Sequence, residues 1–213
     1  MKTRIMATAF ALAASAALAE TTPVMVSLVT PVQAPCRSYD VTGFRLSLIY
    51  GDCDRFTGLD LGLAQRAAGD FTGLAVGGVN IAGGRAIGGQ VGLVNWLSDA
   101  DSEWNTISKG GQLGLMNYAG SFCGYQGGLV NVAGKSFVGL QDGLVNCAAD
   151  VMGLQSGFYF IFGVNVASGT VRGCQIGLVN YAETMECGLQ IGLVNIIARN
   201  GWLPVLPIVN GHF

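Results

Sequence analysis

The sequence predicts an all-β protein built from one strand unit used many times. An eight-residue phrase, G-L-Q-x-G-L-V-N, recurs in register through most of the chain. Along this phrase the residue types alternate with a period of two, as on a strand with two different faces. The segments between copies are rich in Gly, Ser and Asp, which two-residue hairpin loops prefer. A helix is excluded because each interior glycine would cost about 1 kcal/mol.

Eleven copies of the phrase can be aligned, and we number their positions one to eight. An apolar stretch from Val24 to Val32 precedes them, which gives about twelve strands. Position one is glycine in ten of the eleven copies. The copy at Gly153 and the last copy depart from the pattern, so the pattern does not define their register. The copies begin at Gly43, Gly58, Gly73, Gly88, Gly110, Gly124, Gly139, Gly153, Gly173, Gly188 and Leu203.

Two architectures can use such a unit, and the spacing of the copies favours an antiparallel meander that closes into a β-barrel. Most copies follow each other at a nearly constant interval. The two longer intervals between successive positions eight, from Asn95 to Asn117 and from Phe160 to Asn180, both follow odd-numbered strands. Outer-membrane barrels have this asymmetry between their two ends. In that arrangement the Leu positions two and six face lipid, while Gly and Gln at one, three and five line the inside.

The alternative architecture is a β-solenoid with about 15 residues per coil. Two features near the end of the chain favour it. Pro207 lies inside the last predicted strand, where a closed barrel has no edge to tolerate its missing N–H. If the alternation of the last copy is continued to the end of the chain, Phe213 lies on the same face as the Gly positions and not on the lipid-facing Leu face.

The repeat resembles that of bacterial surface-repeat proteins defined by GLVN-type units. The resemblance covers roughly residues 24 to 210, including the opening VTGFRLSLIYGDCDRFTGLDLGLA. It implies a location at the cell surface, and it implies no enzymatic activity.

Residues 1–19 have the features of a cleaved secretory signal peptide. Lys2 and Arg4 precede an apolar stretch from Ile5 to Leu18, and Ala17-Leu18-Ala19 forms an A-x-A cleavage site. We expect residues 20–213 to form a single β-repeat domain that is exported to the outer membrane or cell surface, or alternatively to the periplasm or medium. Without Lys2 and Arg4, nine Lys and Arg remain against 13 Asp and Glu, a net charge of −4. With no basic stripe, nucleic acid is excluded as a partner.

The residue types used in catalysis and metal binding are few. His212 is the only histidine, so no Ser-His-Asp or Cys-His arrangement is predicted. Asp99, Asp101 and Glu103 could bind calcium, although a solvated loop is the simpler interpretation. Cys36, Cys53, Cys123, Cys147, Cys174 and Cys187 form no C-x-x-C pair, and either disulfides or buried thiols are compatible with their spacing. Arg45, Asp60, Gln90, Gln112, Gln126, Gln141, Gln155, Gln175 and Gln190 share position three, where they either contact a solute or hydrogen-bond across strands.

These patterns predict a non-enzymatic outer-membrane or cell-surface β-repeat protein, structural or narrow-pore-like, with outer-membrane lipid as a partner. The alternative function is that of a secreted soluble β-solenoid module that binds a surface partner or a glycan. We assign no catalytic, cofactor-binding or metal-binding residue. In the barrel interpretation the connection from Trp96 to Gly110 and the insertion between Phe160 and Gly173 lie at the outer end. Trp96 and Trp104 would then anchor the first of these connections at the membrane surface.

Overall fold

The computed structural model describes residues 20–98, 107–157 and 162–213, and the protein is all-β over these ranges, as predicted. The predicted signal peptide, residues 1–19, lies outside the described residues. The strands are β1 (Thr21–Val29), β2 (Val32–Ala34), β3 (Asp40–Cys53), β4 (Phe56–Ala67), β5 (Phe71–Ala82), β6 (Ala86–Val91), β7 (Val94–Leu97), β8 (Ser108–Ala119), β9 (Phe122–Gly157), β10 (Val164–Ile176), β11 (Val179–Arg199) and β12 (Val205–His212).

The strands stack in chain order as a β-solenoid of about 11 turns, so the predicted antiparallel meander and β-barrel are wrong. Every pairing from β1 and β3 through to β10 and β11 is parallel. Equivalent positions lie side by side: Gly58 pairs with Gly73, and Gln175 pairs with Gln190. Consecutive copies run in the same direction because each unit completes a full turn. A meander would reverse the direction at every copy.

Each coil bends at positions five and six. β6 ends at Val91 and β7 begins at Val94, so Gly92 and Leu93 form the corner between two short strands. This corner shifts the alternation by one residue. The glutamine at position three and the asparagine at position eight consequently both face inward. An unbroken two-fold alternation along the phrase would place Asn at position eight on the same face as Leu at positions two and six, so the predicted alternation is wrong at this corner.

The segments between copies connect one coil to the next, so the hairpin turns predicted for them are also wrong. They continue the parallel stacking through the backbone: Gly69 N–H donates to the Asp54 carbonyl at 2.7 Å, and Gly84 N–H donates to the Gly69 carbonyl at 2.9 Å.

The two glycine positions of the repeat are steric requirements. Position one has a positive φ in every copy from Gly43 to Gly188, for example +133° at Gly110. A Cβ at Gly110 would lie 1.8 Å from the carbonyl oxygen of Gly88 in the preceding coil. At position five, a Cβ on Gly77 would lie 2.2 Å from the Gly62 carbonyl oxygen. From Gly58 to Gly188, coils can therefore stack at strand spacing only if these positions lack a side chain, whereas in the first copy Ser47 occupies position five.

The last copy is not a coil. β12 runs antiparallel to β11, with Asn210 opposite Gln190. Pro207 lies in this outermost strand, where a missing N–H is tolerated. At the other end, the predicted strand Val24–Val32 is divided into β1 and β2, which pair with each other antiparallel.

The copy at Gly153 holds its extra residues inside the repeat. Asn165, and not Phe160, occupies position eight, because it bonds to Asn146 in the preceding coil and to Asn180 in the next. The insertion lies between Gly157 and Val164, and not between Phe160 and Gly173 as predicted; residues 158–161 themselves are outside the described ranges.

The apolar core is narrow and consists of two columns of side chains. One column lies two residues before position one, where Phe56 stacks on Phe71 at 5.5 Å and Phe122 on Phe137 at 6.3 Å between ring centroids. The other column lies two residues after position eight and is mainly alanine. Its buried members are Ala67, Ala82, Leu97, Ala119, Ala133, Ala148, Ala167, Ala182 and Ile197.

Candidate functional site

A continuous ladder of side-chain amides runs along the interior at position eight. Each side-chain amide from Gln65 to Asn180 donates one N–H to the side-chain oxygen of the next member, at 2.6 to 2.9 Å. Many of the same amides also donate to backbone carbonyls, as Asn80 does to Val91 at 3.1 Å. The members are Gln65, Asn80, Asn95, Asn117, Asn131, Asn146, Asn165, Asn180 and Asn195, all buried.

A second ladder runs along position three, and its donors point the other way. Each glutamine from Gln112 onward donates to the preceding coil, at 2.7 to 3.0 Å. The members are Gln90, Gln112, Gln126, Gln141, Gln155, Gln175 and Gln190. Ala75 occupies position three in the coil before Gln90 and interrupts the column. Because these amides bond to each other inside a packed core, they line no lumen, and the hydrogen-bonding interpretation of the series is confirmed.

The first two members of the position-three column form a buried ion pair. Arg45 donates from Nε and Nη2 to the two carboxylate oxygens of Asp60, at 2.8 and 2.5 Å. The Arg45 guanidinium carbon also lies 5.1 Å from the centroid of the Phe56 ring. Burial alone would lower the pKa of Arg45 and raise that of Asp60, but the hydrogen bonds to Asp60 keep the pKa of Arg45 above its usual value. The pair is a structural element of the core and contacts no solvent.

The outer surface carries a ridge of exposed leucines at position six, the corner of the coil, in eight copies, whereas Gly78 occupies this position in the copy at Gly73. We call this column the leucine ridge. Its members protrude strongly; Leu93 is 58% exposed and Leu193 is 65% exposed. Over ten coils at strand spacing the ridge extends about 45 Å. The ridge consists of Leu48, Leu63, Leu93, Leu115, Leu129, Leu144, Leu178 and Leu193.

Both surfaces beside the ridge are apolar as well. The flank before the corner presents positions two and four, with exposed Leu59, Leu74, Val76, Val91, Leu113 and Ile191. The flank after it presents positions seven and nine and holds a shallow groove lined by Val94, Trp96, Met116, Tyr118, Val130 and Val132. In this groove Trp96 stacks on Tyr118 with 4.1 Å between ring centroids. Trp96 lies on the outer surface of a coil and not at the end of a barrel strand, where the barrel interpretation placed it. Trp104 lies outside the described residues.

Charged side chains are nearly absent from this surface. From position two to position nine of the nine copies between Gly58 and Ile196, the sequence contains only Asp60, Arg66 and Asp142, and Asp60 is buried. The connections between coils hold most of the other charges of these copies, for example Asp70, Arg85, Lys135, Asp150, Glu183 and Arg199. We call these connections together the connecting edge. Arg172 and Glu186 form an exposed ion pair close to it.

The reactive residues considered from the sequence are scattered. His212 is half-buried in β12, and the described residues contain no cluster of His, Cys, Asp or Glu that could hold a metal ion. Asp99, Asp101 and Glu103 lie outside the described residues. All six cysteines are free thiols. Burial raises the pKa of Cys53 to about 12, whereas a hydrogen bond with Ser38 lowers the pKa of the exposed Cys36 thiol.

The described part of the chain contains no helix that is long and apolar enough to cross a membrane. Comparisons with protein-family models, with curated proteins and with solved structures found no match.

Proposed function

We propose that the protein is a non-enzymatic, exported β-solenoid of the cell surface that works as a binding module, with the leucine ridge and its flanks as the docking surface. The observation that carries the proposal is the extended, nearly uncharged apolar surface on the outside of the described coils. Monomeric soluble proteins rarely expose apolar patches larger than a few hundred Å², and larger patches mark interaction sites.

The interior supports this role because it holds the docking surface rigid. The two amide ladders keep equivalent residues of adjacent coils in line, since a shift of one coil would break a buried hydrogen bond on each side. The ridge leucines are thereby held about 4.8 Å apart, the spacing of hydrogen-bonded strands. A docking surface that is already ordered loses little side-chain and backbone entropy on binding.

Two features of the sequence support export to the surface. Residues 1–19 have the charge, apolar run and cleavage site of a signal peptide. The repeat also resembles that of bacterial surface-repeat proteins.

Cell fractionation tests the proposal. The native protein should sediment with the cell envelope. A ridge variant, Leu93→Lys with Leu115→Lys and Leu129→Lys, should be released into the soluble fraction, because three charges would have to be desolvated on docking. All three leucines are exposed, so we expect little effect on folding, which circular dichroism checks.

The chain offers a matched control in the residue just before position one. Thr42, Thr57 and Thr72 are exposed on three adjacent coils, at a position that belongs neither to the ridge nor to its flanks. The variant Thr42→Lys with Thr57→Lys and Thr72→Lys adds the same charge at similar spacing and should stay with the envelope. A native protein found only in the soluble fraction, or a ridge variant that sediments like the native chain, would contradict the proposal.

A further inference from the structure

The apolar surface of the solenoid is convex, and its shape limits what can cover it. Gln126 at position three and Asn131 at position eight both point inward, so the corner between them, with Leu129, points outward. The flank with Leu113 and the flank with Met116 therefore face in different directions on either side of the ridge. A rigid, flat partner, such as the sheet of a second copy, would cover one flank and leave the other in water.

The distribution of charge makes the cross-section of the coil amphipathic. The ridge and flanks carry almost no charge, whereas the connections between coils, which form the connecting edge, carry both acidic and basic side chains, among them Asp70, Arg85, Lys135 and Asp150. An elongated body with one apolar side and one charged side lies at a boundary between a hydrocarbon phase and water. Because the connecting edge carries both positive and negative side chains, we do not expect its charges to require an anionic lipid surface for binding.

The second flank also contains the aromatic side chains that prefer such a boundary. Trp96 and Tyr118 stack on each other at position nine, and Tyr181 occupies the same position further along. The Tyr181 hydroxyl donates to the Glu183 carboxylate at 2.8 Å, at the beginning of the charged edge. Trp and Tyr are enriched where hydrocarbon meets lipid headgroups, because one end of the ring system is apolar and the other is polar.

We propose that the docking partner is a lipid surface: the solenoid lies on one leaflet with the leucine ridge and both flanks immersed at the boundary of headgroups and acyl chains, and the connecting edge in water. A fluid lipid layer can follow the convex corner and cover both flanks at once, which a rigid protein face cannot. This inference rests on the proposed function, because it names the partner of the same surface.

Flotation with protein-free vesicles tests the inference. The exported full-length protein is mixed with vesicles of phosphatidylcholine, or of phosphatidylcholine with phosphatidylglycerol, at about 0.1 and 1 M salt, where the screening lengths are about 10 and 3 Å. The native protein should float with both compositions, and salt should change the bound fraction less than twofold. On phosphatidylcholine the ridge variant should bind at least tenfold less, and the threonine-column control should bind like the native chain.

The other outcomes separate this inference from the proposed function. If the folded native protein sediments with cell envelopes but does not float with any vesicle, the lipid inference is wrong while the binding role stands. Flotation only with phosphatidylglycerol and only at low salt would overturn it too, because the contact would then be electrostatic. A concentration-dependent dimer that the ridge variant lacks, without flotation, would identify a second copy as the occupant. If envelope association and flotation both fail, the proposed function fails with the inference.

Discussion

The first and the later coils fill the same interior column with different chemistry. At position three, the early coils hold the ion pair of Arg45 and Asp60 and then the methyl group of Ala75, whereas every coil from Gln90 onward holds a glutamine. The backbone stacking is parallel and in register through both regions. The difference shows that the glycine corners and the backbone ladder define the coil, while position three only has to be filled and its polar atoms satisfied.

The largest effect should come from breaking what the two regions share. Gly110→Ala puts a Cβ 1.8 Å from a backbone oxygen at a φ of +133°, and neither atom can move without displacing a coil. From the backbone strain and the overpacking we expect a loss of about 4 kcal/mol in the free energy of unfolding, a large part of the stability of an ordinary domain. Urea denaturation followed by circular dichroism measures it.

The neighbouring glycine is the control. A Cβ at Gly111 would lie 4.0 Å from its nearest atom, the backbone carbonyl oxygen of Tyr125. Gly111→Ala should therefore leave the free energy of unfolding unchanged or raise it slightly. Equal losses for the two variants would show that the steric requirement at position one does not determine the stacking.

The next largest effect concerns the early coils alone. Asp60→Asn leaves the Arg45 guanidinium buried with no counter-charge and should cost about 3 kcal/mol in unfolding free energy. The double variant Arg45→Gln with Asp60→Gln gives these coils the chemistry of the later ones, and we expect it to regain most of that loss. A double variant that is no more stable than Asp60→Asn would mean that the early coils cannot accept an amide ladder.

A smaller effect is expected from a gap in the later coils. Gln126→Ala removes the acceptor of Gln141 and the donor to Gln112, and should cost about 2 kcal/mol. The converse variant, Ala75→Gln, extends the ladder toward the early coils and should gain less than about 1 kcal/mol. Chemical denaturation measures whether the free energy of unfolding falls in Gln126→Ala and rises in Ala75→Gln. A higher unfolding free energy for Gln126→Ala would show that the ladder does not stabilise the coils.

The last effect, which is absent near neutral pH, is a pH dependence from the early coils. The folded pKa of Cys53 is about 12 against an ordinary value of 9.0, so the folded state keeps a proton that the unfolded chain releases. Its contribution to stability is complete below pH 9 and is lost as the pH rises toward 12. In Cys53→Ser the alkaline decline should be shallower. At pH 8 a thiol reagent should modify Cys36 much faster than Cys53, and equal rates would contradict the burial of Cys53.

The sequence was sufficient to predict the β class, the repeat and the inward direction of position three, but not the direction of the strands. A strand with a turn and a full coil both fit the length of the repeat, and both alternate inside with outside along most of that length. The corner at Gly92 and Leu93, which turns Asn95 inward, is a tertiary feature that two-fold alternation does not contain.

The spacing argument for the barrel was wrong because the wrong residue was assigned to position eight of the copy at Gly153. With Phe160 at position eight, the interval before that copy was short and the interval after it was long. With Asn165 there, Asn146 to Asn165 is 19 residues and Asn165 to Asn180 is 15. The long interval then follows an even-numbered predicted strand, the eighth, and the odd–even asymmetry disappears. The sequence did contain a signal for the solenoid. The same amide at the same position in consecutive copies can form a ladder only if the copies stack in parallel and in register.

The opposite directions of the two amide ladders have an electrical consequence. In the position-eight column every amide-to-amide hydrogen bond is donated toward the C-terminal coils, as at Asn117, and in the position-three column every such bond is donated toward the N-terminal coils, as at Gln126. The side-chain dipoles of the two columns therefore oppose each other, unlike the peptide dipoles of an α-helix, which add along its axis. Another coil inserted among the later ones would lengthen the rod without building up a potential difference between its ends.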